Sequence, residues 1–199
     1  MFFKILKILA VVVLIVGIGS VVYADTHHSD KTPANTTSDI KVASSGQPSS
    51  TAATTPVNPC SSNDLDQLIL VSISQRHLWA CSSTTVSYSS PAVTGMEFLA
   101  ADLTPTGTYH IYAKETDVHL IGHDSTGSWD DFVNYWMPFL DNQYGAYGFH
   151  DATWRPANAF GNISPDSSNA SHGCVECPLA TAAWLYNWAP VGTTVTIES

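Results

Sequence analysis

"SHGCVECPLATAAWLYNWAP", residues 171–190, sets a histidine, a glycine and a cysteine side by side just ahead of the chain's one convincingly helical stretch. Pro178 suits a first helical position, and Pro190 and Gly192 mark the stop. Leu179, Ala182, Ala183 and Tyr186 recur at three- and four-residue spacing, the stripe of a helix packed on one face. This spacing predicts that Cys174 feeds directly into a helix N-terminus. Free N–H groups and the helix dipole there favour a thiolate or a developing oxyanion.

Outward from this segment the pattern is that of strands. "LILVSIS" (68–74) mixes a buried run with alternation, and a turn at "QRH" leads to a second short strand ending at Cys81. "TTVSYSSPAVTG" alternates through Val86, Tyr88 and Val93, and "TPTGTYHIYAK" places a Pro-Gly turn before Tyr109, Ile111 and Ala113. "DVHLIGH", "FVNYWMPF", "AYGFH" and the terminal "TTVTIE" read as further strands. Turn signals at "STGSW", "NQYG" and "PTG" separate them. The expected fold is mainly β, a sandwich or barrel, with one short helix after Cys174.

The thiol has several readings on spacing alone. A cysteine reacts as its thiolate, so a nucleophile needs a group that takes its proton. His172 lies two residues away, and His150 ends the strand "AYGFH". Gly173 allows close backbone approach to a carbonyl, and the amides around Gly173 and Cys174 suit an oxyanion hole. Against this, a cysteine among apolar neighbours is often a small buried hydrophobe. "CVEC" also matches C-x-x-C, a redox pair or half of a zinc site. No βαβ pattern accompanies it, and there is no second C-x-x-C. No metal is expected.

The ends of the chain bound the folded part. "MFFKILK" followed by an apolar run of about 15 residues reads as a secretory signal over 1–24, cut after Ala24. The alternative is an uncleaved anchor formed by residues 5–23; either way the rest is exported. Residues 25–59 are rich in Ser, Thr, Pro and Ala and read as a disordered linker. His27 and His28 there read as solvated. The domain is expected over 60–199. Three acids and four bases precede it, leaving fourteen Asp and Glu against three Lys and Arg, a net of −11. Such a balance excludes a basic footprint for nucleic acid and suits an acidic or saline medium.

An exported chain permits disulfides, and Cys60, Cys81, Cys174 and Cys177 allow three pairings. Cys60 opens the domain and Cys81 closes its first hairpin, so a Cys60–Cys81 bridge is expected to staple the N-terminal edge. It leaves the candidate nucleophile free. Cys177 reads as packing or as a reversible lock on Cys174.

"YGFHDATWRPANAFG" and "NASHGCVECP" together resemble the catalytic signature of the L,D-transpeptidases, cysteine enzymes of bacterial peptidoglycan. The first histidine is His150, and the block is Ser171, His172, Gly173, Cys174 and Val175. "TGMEFLAADLTPTGTYHI", "VNYWMPF" and "GTTVTI" extend the resemblance over about residues 65 to 198. It implies a thioester on Cys174 and a 3→3 cross-link between stem peptides, with His150 as general base. His172 is expected to support the site and lend its backbone N–H, the reverse assignment of the two histidines being second. Ser171 would orient an imidazole, with Asp151 a weaker orienting candidate. Tyr147, Trp154, Arg155 and Glu176 are the substrate-side candidates, Arg155 either gripping a substrate carboxylate or pairing with a local acid. Two departures stand out. Glu176 occupies a position that is usually Asn or Arg in the family, and the loop between the two histidines is enlarged.

The resemblance implies an extracellular or cell-wall enzyme, expected to be monomeric, that acts on peptidoglycan stem peptides without a cofactor. It would touch a membrane only through an uncleaved N-terminal segment. The alternatives are an L,D-carboxypeptidase or endopeptidase, with water as acceptor, and a wall-binding module without turnover.

Overall fold

The structure is a computed structural model in which residues 57–125 and 127–199 are described. The signal or anchor at 1–24 and nearly all of the expected linker lie outside these residues. Among the described residues no helix is long and apolar enough to cross a membrane.

Among the described residues, nine strands form two sheets. In chain order they are β1 (Gln67–Ser72), β2 (His77–Ser82), β3 (Thr85–Pro91), β4 (Gly107–His110), β5 (Glu115–His123), β6 (Ser128–Asn142), β7 (Gly145–Asp151), β8 (Val175–Cys177) and β9 (Thr194–Glu198). The helix α1 spans Leu179–Trp188, between β8 and β9. One sheet runs β3-β2-β1-β9-β4 and the other β5-β6-β7-β8. The terminal β9 slots between β1 and β4, parallel to the first and antiparallel to the second.

The core lies where the two sheets and α1 meet. Ile69, Val71, Leu78 and Ala80 from the first sheet join Met137, Phe139, Phe149 and Val175 from the second, with Ala182 and Leu185 of α1. Alternation explains the choice of side chains. Phe149, Val175 and Cys177 enter the core, whereas His150 and Glu176, their neighbours in the strands, line a cleft.

β6 is the long element, and it serves both sides of its sheet. Its first half pairs with β5 and its second with β7, with a register shift between Pro138 and Leu140. A proline inside a strand is tolerated at such an irregularity. Gly148 lies opposite Pro138, where an added Cβ would stand 2.6 Å from the Met137 carbonyl oxygen. The glycine ahead of His150 is therefore required by close strand contact.

Cys60 and Cys81 form the expected disulfide, with both residues fully buried and their Cα atoms 5.6 Å apart. Closing a loop of this length stabilises the fold by about 3 kcal/mol.

Two expectations about the helix need correction. α1 does not begin at Cys174: the strand β8 intervenes, and Pro178 is the N-cap. The three residues are drawn into a strand because they pair in parallel with Phe149–Asp151. The buried stripe also differs, consisting of Thr181, Ala182 and Leu185, while Leu179 is 44% exposed.

Candidate active site

Cys174 sits at the entrance to β8, half-buried, with its Sγ 4.0 Å from the Ala146 carbonyl oxygen. β8 lies beside β7 in parallel register, and His150 is the partner of Glu176. This pairing brings the histidine of one segment to the cysteine of another, 24 positions on. His150 is almost wholly buried, and its Nδ1 donates to the Asp151 carbonyl at 2.9 Å. The bond fixes the ring, and His150 and Cys174 line one cleft. Burial by itself disfavours the imidazolium. Interaction with Cys174, the Glu176 carboxylate and the Asp151 carbonyl outweighs it and raises the pKa to about 9. An acid–base pair built this way suits a thiolate nucleophile.

The other expected residues take distinct places. His172 lines the same cleft as Cys174 but is turned to two aspartates. Its Nδ1 lies 3.0 Å from Asp124 Oδ2 and 3.4 Å from Asp102 Oδ1, and its ring stacks on Trp129 at 3.9 Å between centroids. Ser171 engages no imidazole in these contacts. Its Oγ donates to the Cys174 carbonyl at 2.6 Å and accepts from the Gly173 N–H at 3.2 Å. The hydroxyl therefore shapes the loop, and the Gly173 amide is already engaged.

Gly173 has a φ of +100°, and an added Cβ would stand 2.3 Å from the Tyr147 ring. Only glycine fits both demands. Thr104 holds the same loop from beneath, accepting from the Gly95 N–H at 2.7 Å and donating to the Gly173 carbonyl at 2.9 Å.

Asp151 orients His150 through its backbone. Its carboxylate instead accepts from the Asn134 and Tyr135 amides and from Asn134 Nδ2, tying the end of β7 to β6. Tyr147 donates from its hydroxyl to the Ala101 carbonyl at 2.7 Å. Arg155 grips Glu176 through Nε and Nη2, and its Nη1 donates to the Asn169 carbonyl. Its fork is thus filled by a local acid. Trp154 is 44% exposed, with its ring centroid 6.0 Å from that of His150.

Cys174 opens into a cleft of about 540 Å³, lined also by His150, His172, Tyr147, Glu176 and Trp136. A larger cavity of about 970 Å³ shares Tyr144 and Tyr147 with it but does not reach Cys174. Of the two, the smaller is lined by both Cys174 and His150. Cys177 is free and fully buried, and burial pushes its thiol well up. It packs within the core, and in this structure both Cys174 and Cys177 are free thiols.

Sequence reasoning missed Asp102, Asp124, Trp129 and Trp136. They come from separate loops and strands, and no local spacing connects them to His172 or His150.

The family model for the YkuD domain, the L,D-transpeptidase catalytic domain, matches residues 66–197. No curated protein sequence matches the chain. Among solved structures, a mutant of the Enterococcus faecium L,D-transpeptidase is 28% identical with a TM-score of 0.58, covering 67% of this chain and 50% of its own. The catalytic domain of the E. faecium enzyme acylated by ertapenem is 28% identical with a TM-score of 0.54, covering 66% of this chain and 95% of its own. An L,D-transpeptidase from Mycobacterium smegmatis, 23% identical with a TM-score of 0.57, covers 67% of this chain and 59% of its own, and shares the fold. The chain thus spans about half the length of the first E. faecium protein.

Proposed function

This chain belongs to the YkuD family of L,D-transpeptidase catalytic domains, and from that premise we propose that it cross-links peptidoglycan stem peptides through a thioester on Cys174. The reading rests on one juxtaposition, His150 and Cys174 lining a single cleft, with the imidazole held by the Asp151 carbonyl.

The thiolate of Cys174 attacks the carbonyl of the third stem residue. The amide bond to the terminal D-Ala breaks, and His150 gives its proton to the departing amine. A side-chain amine of a second stem then attacks the thioester. It forms a new amide, returns the thiolate and passes its proton to His150. One amide is exchanged for another, and no cofactor is required.

The expected second assignment, with His172 as base, has less support because its Nδ1 is turned to two aspartates. Tyr147 and Glu176 line the cleft and are proposed to contact the stem peptide, with Trp154 at the rim. Arg155 acts through Glu176. We further propose that the enzyme works as a monomer on the outer side of the membrane, at the cell wall, and is attached only if residues 5–23 are retained.

Incubating the full chain with disaccharide-tetrapeptides and weighing the products tests this reading. Dimers short of one D-Ala are expected. Tripeptides alone would show water as the acceptor, and unchanged substrate would leave a wall-binding module.

A further inference from the structure

The proposed acyl transfer makes no use of the side-chain arrangement around His172. One ligand atom each from Asp102, Asp124 and His172 lies within 4.8 Å of the others. The three come from separate parts of the fold: the turn before β4, the tip of the β5–β6 hairpin and the loop before Cys174. Asp124 accepts from the Gly127 N–H with Oδ1 and turns Oδ2 to His172. Asp102 is 1% exposed, and its Oδ2 is buried with no hydrogen-bond partner. A buried carboxylate oxygen without a donor is costly.

Nothing basic in the folded part relieves this cost. Arg76 donates to the Gly161 carbonyl, Lys114 sits over the Tyr186 ring, and Arg155 is closed on Glu176. Those are the three basic side chains of residues 60–199. His172 is the one nitrogen base at the cluster, and it meets two acids.

The two separations from His172 fit a cation. An ion about 2.1 Å from oxygen and nitrogen ligands holds neighbouring ligands about 3.0 Å apart at octahedral angles and about 3.4 Å apart at tetrahedral ones. His172 Nδ1 stands 3.0 and 3.4 Å from its two carboxylate oxygens. The Trp129 stack holds the imidazole plane in place, so these ligand atoms are already gathered.

We propose that Asp102, Asp124 and His172 form a site for one divalent first-row transition cation. Two carboxylates and an imidazole suit the borderline ions of the manganese-to-zinc series. Binding would place the ion between Nδ1 and the two carboxylate oxygens. The bound ion would pin the β5–β6 hairpin and the Asp102 turn to the loop that carries Cys174. This departs from the expectation that the chain holds no metal, and it does not depend on the acyl-transfer reading.

The test uses the full chain carrying Cys174→Ser, which removes the competing thiolate. Co2+ is titrated by visible absorption and Mn2+ by paramagnetic resonance, with Zn2+ as competitor. One equivalent of Co2+ is expected, without a sulfur charge-transfer band and displaced by Zn2+. Asp102→Asn, Asp124→Asn and His172→Gln should each weaken binding by at least about tenfold. Asp124→Asn lies at the hairpin tip and serves if the buried Asp102→Asn fails to fold. No binding at millimolar metal would overturn the proposal, and so would unchanged binding in the Asp124→Asn and His172→Gln variants. The second outcome would assign the ion elsewhere, for example to His27 and His28.

Discussion

Arg155 closes a two-point fork on the carboxylate of Glu176, next to His150 in the sheet. Both side chains are largely buried, so each satisfies a charge that the other would otherwise leave without a partner. The pair explains how an acid is accommodated at a position where the family usually carries Asn or Arg. Arg155, 21 residues earlier, supplies the positive charge across space.

Removing one partner should therefore be costly. Arg155→Met is expected to lower stability by about 3–5 kcal/mol, because Glu176 stays buried and charged. Arg155→Met combined with Glu176→Met should recover most of the loss. Urea unfolding of the two variants measures both values. A single-variant loss within about 0.5 kcal/mol, the range of ordinary surface changes, would show that the pair is not a buried unit.

The pH response follows from His150. Its pKa is about 9 in the folded protein and about 6.5 in an unfolded chain. The folded state thus binds the proton more tightly. Its stabilising contribution is complete below about pH 6.5 and is lost as pH rises through about 9. The denaturation midpoint should fall across that window, and less steeply in Cys174→Ala, which lacks the sulfur that supports the imidazolium. Turnover is expected to decline above about pH 9 as the imidazolium is lost, and Glu176→Gln should move that limb to lower pH. Identical profiles for wild type and Glu176→Gln would remove Glu176 from the electrostatics of the site.

The two free thiols should behave differently. A thiol-acylating carbapenem is expected to add its mass once, on Cys174, the free thiol that opens into the cleft. Cys174→Ala should take up none. Cys177→Ala should keep turnover and lose about 1–2 kcal/mol, since it only opens a small void in the core. Loss of turnover in Cys177→Ala would restore the dithiol reading.

Gly173→Ala tests the shape of the loop. A methyl group there meets the Tyr147 ring and a left-handed backbone together. Such strain costs about 1–3 kcal/mol. A sulfur displaced by about 1 Å would lower the rate about 100-fold. Steady-state kinetics alongside thermal melting separate the two effects; a fully active variant would show that the loop tolerates a side chain.

Period-two alternation and turn residues decided the mainly β fold from sequence alone, because strand faces and turn chemistry are properties of neighbouring residues. Local order also marked the Ser171–Cys174 block, the helix that follows and the pairing of Cys60 with Cys81. Proximity across the chain was not legible there. The resemblance had put His150 ahead of His172, but the parallel register of β7 and β8, which pairs His150 with Glu176 and draws Val175–Cys177 into a strand, emerged only from the fold. Arg155 met Glu176, and His172 met Asp102 and Asp124, for the same reason. These contacts join segments far apart in the chain, and their energies come from burial and charge that exist only after the sheets have closed.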